Sequence, residues 1–337
     1  MNQAPQKTAL ICGVSGQDGA WLAQLLLSKG YRVIGTARDA QMNRFANLER
    51  LGIRSQVTVV SMAGNDFRSV LQVMSRHAPD EVYNLAGQSS VGLSFEQPVE
   101  TLESISMGTL NLLEVIRFLN QGTRFYNASS GECFGDTGDI PADENTPFRP
   151  RSPYAVAKAA AFWQVANYRE AYGLFACSGI LFNHESHLRP ERFVTQKIVR
   201  AACRVAAGSA ERLLLGNLDI QRDWGWAPEY VDAMWRMLQP AKPSDLVIAT
   251  GETRPLKDFV HQAFAAVGLA WQDHVDIDPS LLRPADIRIS RANPAQAAQQ
   301  LGWTATTCMG GVVQQMVRLH QTNSPPAFGH EMNALAT

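Results

Sequence analysis

The sequence predicts an α/β protein: a doubly wound parallel sheet with a smaller mixed α/β lobe on its C-terminal side. Three observations predict it. Short apolar runs alternate with helical patterns through the first half, three glycines separate the first such run from the first helix, and the pattern turns irregular after about residue 184. "TALICG" has the unbroken apolar character of a strand buried on both faces, and "AWLAQLLLSKG" is a helix ending at Gly30, a C-cap residue. "YRVIGTA", "QVTVVS", "EVYNLAG" and "RFYNASS" predict further strands, with "FRSVLQVMSRHAP" and "MGTLNLLEVIRFLNQ" as helices between them. Farther on, "LRPERFVTQKIVRAACRVAAG" predicts a loop and then a helix. "ERLLLGN" and "DLVIATG" predict short strands, and "LKDFVHQAFAAVG" a helix. "NPAQAAQQLGW" predicts a helix capped by Asn293, with Pro294 in its first position.

The chain has 337 residues, enough for one large α/β unit or two modest domains. A net charge of −1 provides no basic field, so no nucleic-acid partner is expected, and any anion must be gripped locally. Five cysteines are scattered without C-x-x-C spacing, which suits a reducing compartment. "MNQAPQKTALICG" lacks a signal-peptide core, and no run approaches the roughly 18 apolar residues of a membrane span. The expectation is a cytoplasmic protein with no membrane partner. His184 and His187 in "NHESH" lack H-E-x-x-H spacing and an evident third ligand, so no metal is expected.

Gly13, Gly16 and Gly19 lie between a strand and a helix as G-x-x-G-x-x-G. The first permits a sharp turn, the second a close approach of backbone to a pyrophosphate, and the third tight helix–strand packing. That is a Rossmann-like dinucleotide cradle. The second strand closes on "GTARD", where an arginine suits a 2′-phosphate and a carboxylate a free ribose hydroxyl. Arg38 comes first, so NADP is expected, with NAD the alternative that Asp39 leaves open. Residues 1–182 are therefore expected to form the cofactor domain, to which the chain returns around 220–252. Residues 183–320 form the interleaved smaller lobe, and 321–337 a loose tail.

"SPYAVAKAA" sets Tyr154 and Lys158 four residues apart on one helical face. Alone, such a pair can simply line a solvated surface. Beside the cradle, "NLAGQSSVGLS" and "ASSGECFGD", it makes the chain resemble the extended short-chain dehydrogenases/reductases. The likeness is closer to their GDP-mannose 4,6-dehydratase branch, through "ALICGVSGQDGAWLAQLLL", "DENTPFRPRSPYAVAK", "GILFNHES", "FVTQKI", "LGNLDIQRDWGWAPEYVDAMW" and "LLRPADI". It runs from about residue 8 to 319.

The resemblance implies a 4,6-dehydration of a GDP-linked sugar. Tyr154 would be the base at the sugar's O4, with Lys158 holding the nicotinamide ribose and favouring phenolate. Ser130 would bind O4, while Glu132 would take the proton from C5 and protonate the hydroxyl leaving C6. It also implies cofactor contacts from Gly13, Ser15, Gly16, Gln17, Asp18, Gly19, Arg38, Leu85, Ala86 and Gln88. The sugar nucleotide would meet Ser89, Asn183, Glu185, Lys197, Gly216, Asn217, Arg222 and Arg283, the arginines gripping diphosphate. A homodimer or homotetramer is implied as well.

Several positions depart from the branch. Cys12 replaces a threonine, and Ala63 in "SMAGNDF" an acidic residue that would meet adenine. "RDAQMNR" replaces an Arg/Ser-rich loop that also helps build a tetramer. Gly87 stands for alanine and Gly131 for serine, and their small size is expected to widen the pocket, admitting a GDP-linked heptose. Cys133 has no local histidine and is expected to be a packed side chain. Two alternatives stand: a reductase or epimerase of GDP-4-keto sugars using Tyr154 and Lys158, and a non-catalytic nucleotide-binding regulator.

Overall fold

A computed structural model describes residues 6–282 and 285–322. Arg283 and the tail beyond residue 322 lie outside the described residues; Gln321 and Thr322 close the last helix rather than opening the tail.

The described residues build a seven-stranded, wholly parallel sheet. Its strands are β1 (Thr8–Cys12), β2 (Arg32–Ala37), β3 (Thr58–Ser61), β4 (Glu81–Asn84), β5 (Arg124–Ser130), β6 (Ala176–Leu181) and, after an excursion, β10 (Leu246–Ile248). In space they run β3-β2-β1-β4-β5-β6-β10, every adjacent pair parallel. The order reverses between β1 and β4, and a ligand crevice opens at that point beyond the strands' carboxyl ends. Strand periodicity explains why the runs are apolar on both faces. Ala9 and Ile11 enter one core with Val33, Tyr83, Tyr126 and Cys177, whereas Leu10 and Cys12 enter the other with Ile34, Val82, Phe125 and Ala176.

The helices of the first half are α1 (Gln17–Ser28), α2 (Ala46–Arg50), α3 (Phe67–His77), α4 (Val91–Glu96), α5 (Pro98–Leu102), α6 (Gly108–Leu119) and α7 (Pro153–Tyr172). Each predicted strand and helix of that half appears. Gly30 is left-handed at φ 82°, as its place after α1 requires.

The smaller lobe holds β7 (Asn183–Glu185), β8 (Leu213–Leu215), β9 (Gln221–Trp226), β11 (Thr253–Pro255) and β12 (Val275–Ile277). β9 pairs with β7 in parallel and β11 in antiparallel fashion, and β8 pairs with β12. Around them pack α8 (Val194–Ala206), α10 (Leu256–Ala265) and α12 (Met309–Thr322), burying Ile198, Trp224, Phe259, Phe264, Val312 and Met316.

The chain returns to the large sheet through α9 (Ala227–Met237), which lies against α1, and then β10. A further stretch returns as well. α11 (Ala295–Leu301) places Ala297, and the following Trp303, in the core under α1 and α9. The sequence boundary set this stretch in the other lobe because its short apolar face does not say which surface it covers. α11 begins one residue later than expected; Pro294 precedes it, and the Asn293 side chain accepts from the Ala295 N–H. No helix among the described residues is long and apolar enough to cross a membrane.

Candidate active site

The first helix begins at the first turn without the usual side-chain cap. Gly16 is the N-cap of α1 and has no side chain to offer, so no side chain caps that terminus. By contrast Ser152 caps α7 through the Ala155 N–H, and Asp66 caps α3. The open amides of α1 face a cleft, where a bound anion would supply what the cap does not.

The glycines explain themselves by different contacts. Gly13 has φ 84°, and a Cβ on it would meet the Leu85 carbonyl at 3.0 Å. A Cβ on Gly19 would come within 2.4 Å of the Gly13 carbonyl, so helix and strand could not stay in contact. Gly16 is exposed, and a Cβ there would meet only Gly13 O, at an ordinary 3.4 Å. Protein packing thus accounts for two glycines, and the cleft side of Gly16 is left open for a ligand. This cradle fits a dinucleotide.

The cleft holds about 920 Å³, the upper end of the ~300–1,000 Å³ of small-molecule sites. Its walls include every expected site residue among those described. The cradle, Arg38, Leu85, Ala86, Gln88 and Ser89 line one end; Asn183, Glu185, Lys197, Gly216, Asn217 and Arg222 line the other. Ser130, Glu132, Tyr154 and Lys158 lie in the wall between. Ser130 ends β5 and its hydroxyl accepts from the Glu132 N–H at 3.2 Å, opening the 3-10 turn that carries Glu132. α7 starts at the cleft, so its first turns deliver Tyr154 and Lys158.

The Lys158 ammonium is buried and donates to the Ala128 carbonyl of β5 at 2.7 Å, lying 5.8 Å from the Tyr154 ring centre. Burial pushes its pKa down to about 8. Burial pushes the Tyr154 phenol well above the ordinary range, opposed by a hydrogen bond from Ser130 and by the more distant Arg189 charge. The phenol is therefore protonated at neutral pH until further positive charge arrives.

Some expected residues take roles that spacing did not suggest. Both Glu185 oxygens are engaged within the protein, one by Arg189 at 2.6 Å and the other by the Thr195 hydroxyl at 2.6 Å, which fixes the carboxylate in the cleft wall. The Asp18 carboxylate pairs with His184 at 2.9 Å. Burial opposes charge on both, yet their mutual attraction and hydrogen bonds leave the carboxyl lowered and the imidazole raised. Gln88 turns back onto Ser90 and Thr101. Arg222 donates to its neighbour's carbonyl and approaches Asp286 at 3.4 Å. Cys133 is a packed thiol, as expected, with its pKa pushed up to about 12 by burial.

The expected widening of the pocket does not occur. Gly87 has φ 117°, and a Cβ there would fall 2.7 Å from Ile105. A Cβ on Gly131 would meet the Phe182 ring at 3.0 Å. Both missing side chains are replaced by neighbours, so the heptose expectation loses its ground. Sequence reasoning also missed Arg189, which enters the wall above Glu185. The "HLRPERF" loop held the signal, two arginines directly after "NHES".

A parallel sheet with an uncapped glycine cradle and a Tyr–Lys pair at its carboxyl edge defines a nucleotide-dependent enzyme of the extended dehydrogenase/reductase kind. The chain matches the family profile GDP-mannose 4,6 dehydratase over residues 10–316, and it belongs to that family. GDP-mannose 4,6 dehydratase 1 of Arabidopsis thaliana is 43% identical over 323 residues, covering 93% of this chain and 89% of the relative. The Sinorhizobium fredii GDP-mannose 4,6-dehydratase is 44% identical over 337 residues, covering 93% and 96%. The Thermus thermophilus UDP-glucose 4-epimerase, solved as a complex with NAD, superimposes with a TM-score of 0.82 at 25% identity, covering 94% and 99%.

One prediction concerns the buried lysine. Its pKa is depressed from 10.5 to about 8, so the folded chain binds fewer protons than the unfolded chain between those values. Stability then rises with pH across that window; below it the charged amine is a standing cost on the order of 3 kcal/mol. Lys158→Met should raise the melting temperature of the ligand-free protein at pH 7, with the gain fading towards pH 10. Thermal unfolding against pH checks it, and a lower melting temperature at pH 7 contradicts it.

Proposed function

We propose that this chain is a nucleotide-sugar 4,6-dehydratase that converts GDP-mannose to its 4-keto-6-deoxy product. One observation carries the reading: Ser130 and Glu132 at the end of β5 share a cleft wall with Tyr154 and Lys158 of α7, between a dinucleotide cradle and a cationic far end. Family membership at 43–44% identity supports the same substrate. A nicotinamide dinucleotide held at the Gly13–Gly16–Gly19 cradle would supply the hydride-accepting and hydride-donating chemistry that the conversion needs.

The chain's own groups do the proton work. Tyr154 takes the O4 proton, helped by the Ser130 hydroxyl, and Lys158 adds positive charge that favours the phenolate. The C4 carbonyl so formed acidifies the neighbouring C–H. Glu132 removes the C5 proton and delivers it to the C6 oxygen, which leaves as water. A proton returned to C5 balances the one Tyr154 took from O4, so the net change is loss of water. Glu132 weighs against a reductase or epimerase, because neither reaction needs a carboxylate over C5 and C6.

Arg38 supports NADP. It lines the cleft and pairs with Glu100 at 2.6 Å, whereas Asp39 turns back to accept from the Gln41 and Met42 amides. In the same reading residues 6–182, with 227–248 and 295–303, make the dinucleotide unit and the other described residues the sugar-nucleotide lobe. The free cysteines support a cytoplasmic setting. Exposed Val99 and Leu102 on α5, Met107 on the helical turn that follows it, and Val156 and Trp163 on α7 support a homodimer through those elements.

Mass spectrometry of GDP-mannose incubated with the purified protein should reveal loss of water without added NADPH. Glu132→Gln should slow that loss about 10²- to 10⁴-fold, and Tyr154→Phe should block the oxidation. Dehydration by the glutamine variant at the native rate would contradict the assignment, and turnover only with added NADPH would indicate a reductase. In sedimentation, the native protein should be dimeric and Trp163→Arg monomeric. A native monomer contradicts the interface.

A further inference from the structure

Asn47 stands in α2, outside the cleft wall. Its side-chain nitrogen donates to the Ser15 carbonyl at 3.1 Å and to the Leu188 carbonyl at 3.2 Å. The first carbonyl belongs to the cradle itself, between Gly13 and Gly16. The second immediately precedes Arg189, the residue that holds Glu185 in the far half of the cleft. A carboxamide has two protons on one nitrogen, so a single side chain can clasp both segments.

The turn that presents Asn47 is held in a costly shape. Phe45, just before α2, is buried and has φ 48°, a region bulky side chains seldom occupy. The Asn43 side chain accepts from the Phe45 N–H at 2.8 Å, and the Arg54 guanidinium covers its ring at 5.1 Å. Neighbouring stitches run the same way. Gln17 donates to the His184 carbonyl at 3.2 Å and accepts from the Ser186 hydroxyl at 2.9 Å, and Trp21 donates to that hydroxyl at 3.2 Å. These come from α1, whereas Asn47 grips the cradle's own backbone.

We infer that Asn47 is a positioning residue that couples the dinucleotide end of the cleft to its sugar-nucleotide end, which rests on the functional reading above. A ligand that orders residues 13–16 fixes the Ser15 carbonyl, and through Asn47 it fixes Leu188 and Arg189. By linkage, a nucleotide at the far end must tighten the cradle's hold to the same degree.

The test is equilibrium binding to the full-length protein. NADPH is titrated by fluorescence with and without saturating GDP, for the native protein, Asn47→Ala and Asn47→Asp; the aspartate keeps the shape but has no proton to donate. GDP should tighten NADPH binding to the native protein about 5- to 150-fold, and in both variants by less than about twofold while each ligand still binds. A structural role alone would weaken both affinities and leave their ratio intact, which overturns the inference. So does a native protein that binds both ligands without coupling. Failure of the native protein to bind either ligand would instead refute the functional reading, and this inference with it.

Discussion

The hydrogen bond from the Lys158 ammonium to the Ala128 carbonyl holds the site together. It joins the second turn of α7 to the carboxyl end of β5 at 2.7 Å, and everything the cleft does depends on that junction. Tyr154 lies one turn earlier on the helix, and Ser130 two residues later on the strand, so both side chains line the same stretch of the cleft wall. Glu132 follows on the 3-10 turn that the Ser130 side chain starts. The amine is buried at the cost of its own proton affinity. Proteins keep such destabilised groups where activity requires them.

The cradle follows the same logic of incomplete satisfaction. α1 starts at the cleft without a side-chain cap, and the glycine there leaves its amides open. Across the strand-order reversal, β5 and α7 bring Ser130, Tyr154 and Lys158 to the cleft; from the smaller lobe, β9 brings Arg222 while its neighbour Asp223 turns inward to hold the Thr250–Gly251 turn. One strand thus supplies a cleft-lining cation and an internal brace from successive residues, as its two-residue period dictates.

The parallel sheet was legible because its evidence is local. Apolar runs, a Gly30 stop and the Gly13–Gly16–Gly19 spacing need no knowledge of distant residues. Tyr154 and Lys158 were legible as a pair through their helical spacing, and as a site only through the motifs around them. What stayed hidden depends on contacts between residues far apart in the chain. Gly87 looked like open space until Ile105 was placed against it, and Gly131 until Phe182 was. Glu185 looked available until Arg189 and Thr195 took both of its oxygens. α11 looked like part of the second lobe because its apolar face is short, and only the packing of Ala297 and Trp303 reveals which core it covers.

The shared cleft wall of Tyr154 and Glu132, with the roles proposed for them, has a consequence for the fate of the hydrogen on C4. On the proposed mechanism that hydrogen is held at the site and returned to the same sugar. The direct measurement is NMR of the product formed from GDP-mannose carrying deuterium at C4. Deuterium at C6 of the same sugar is the expected result. Deuterium lost to solvent, or still at C4 of a dehydrated product, would contradict the shared site on which this mechanism stands.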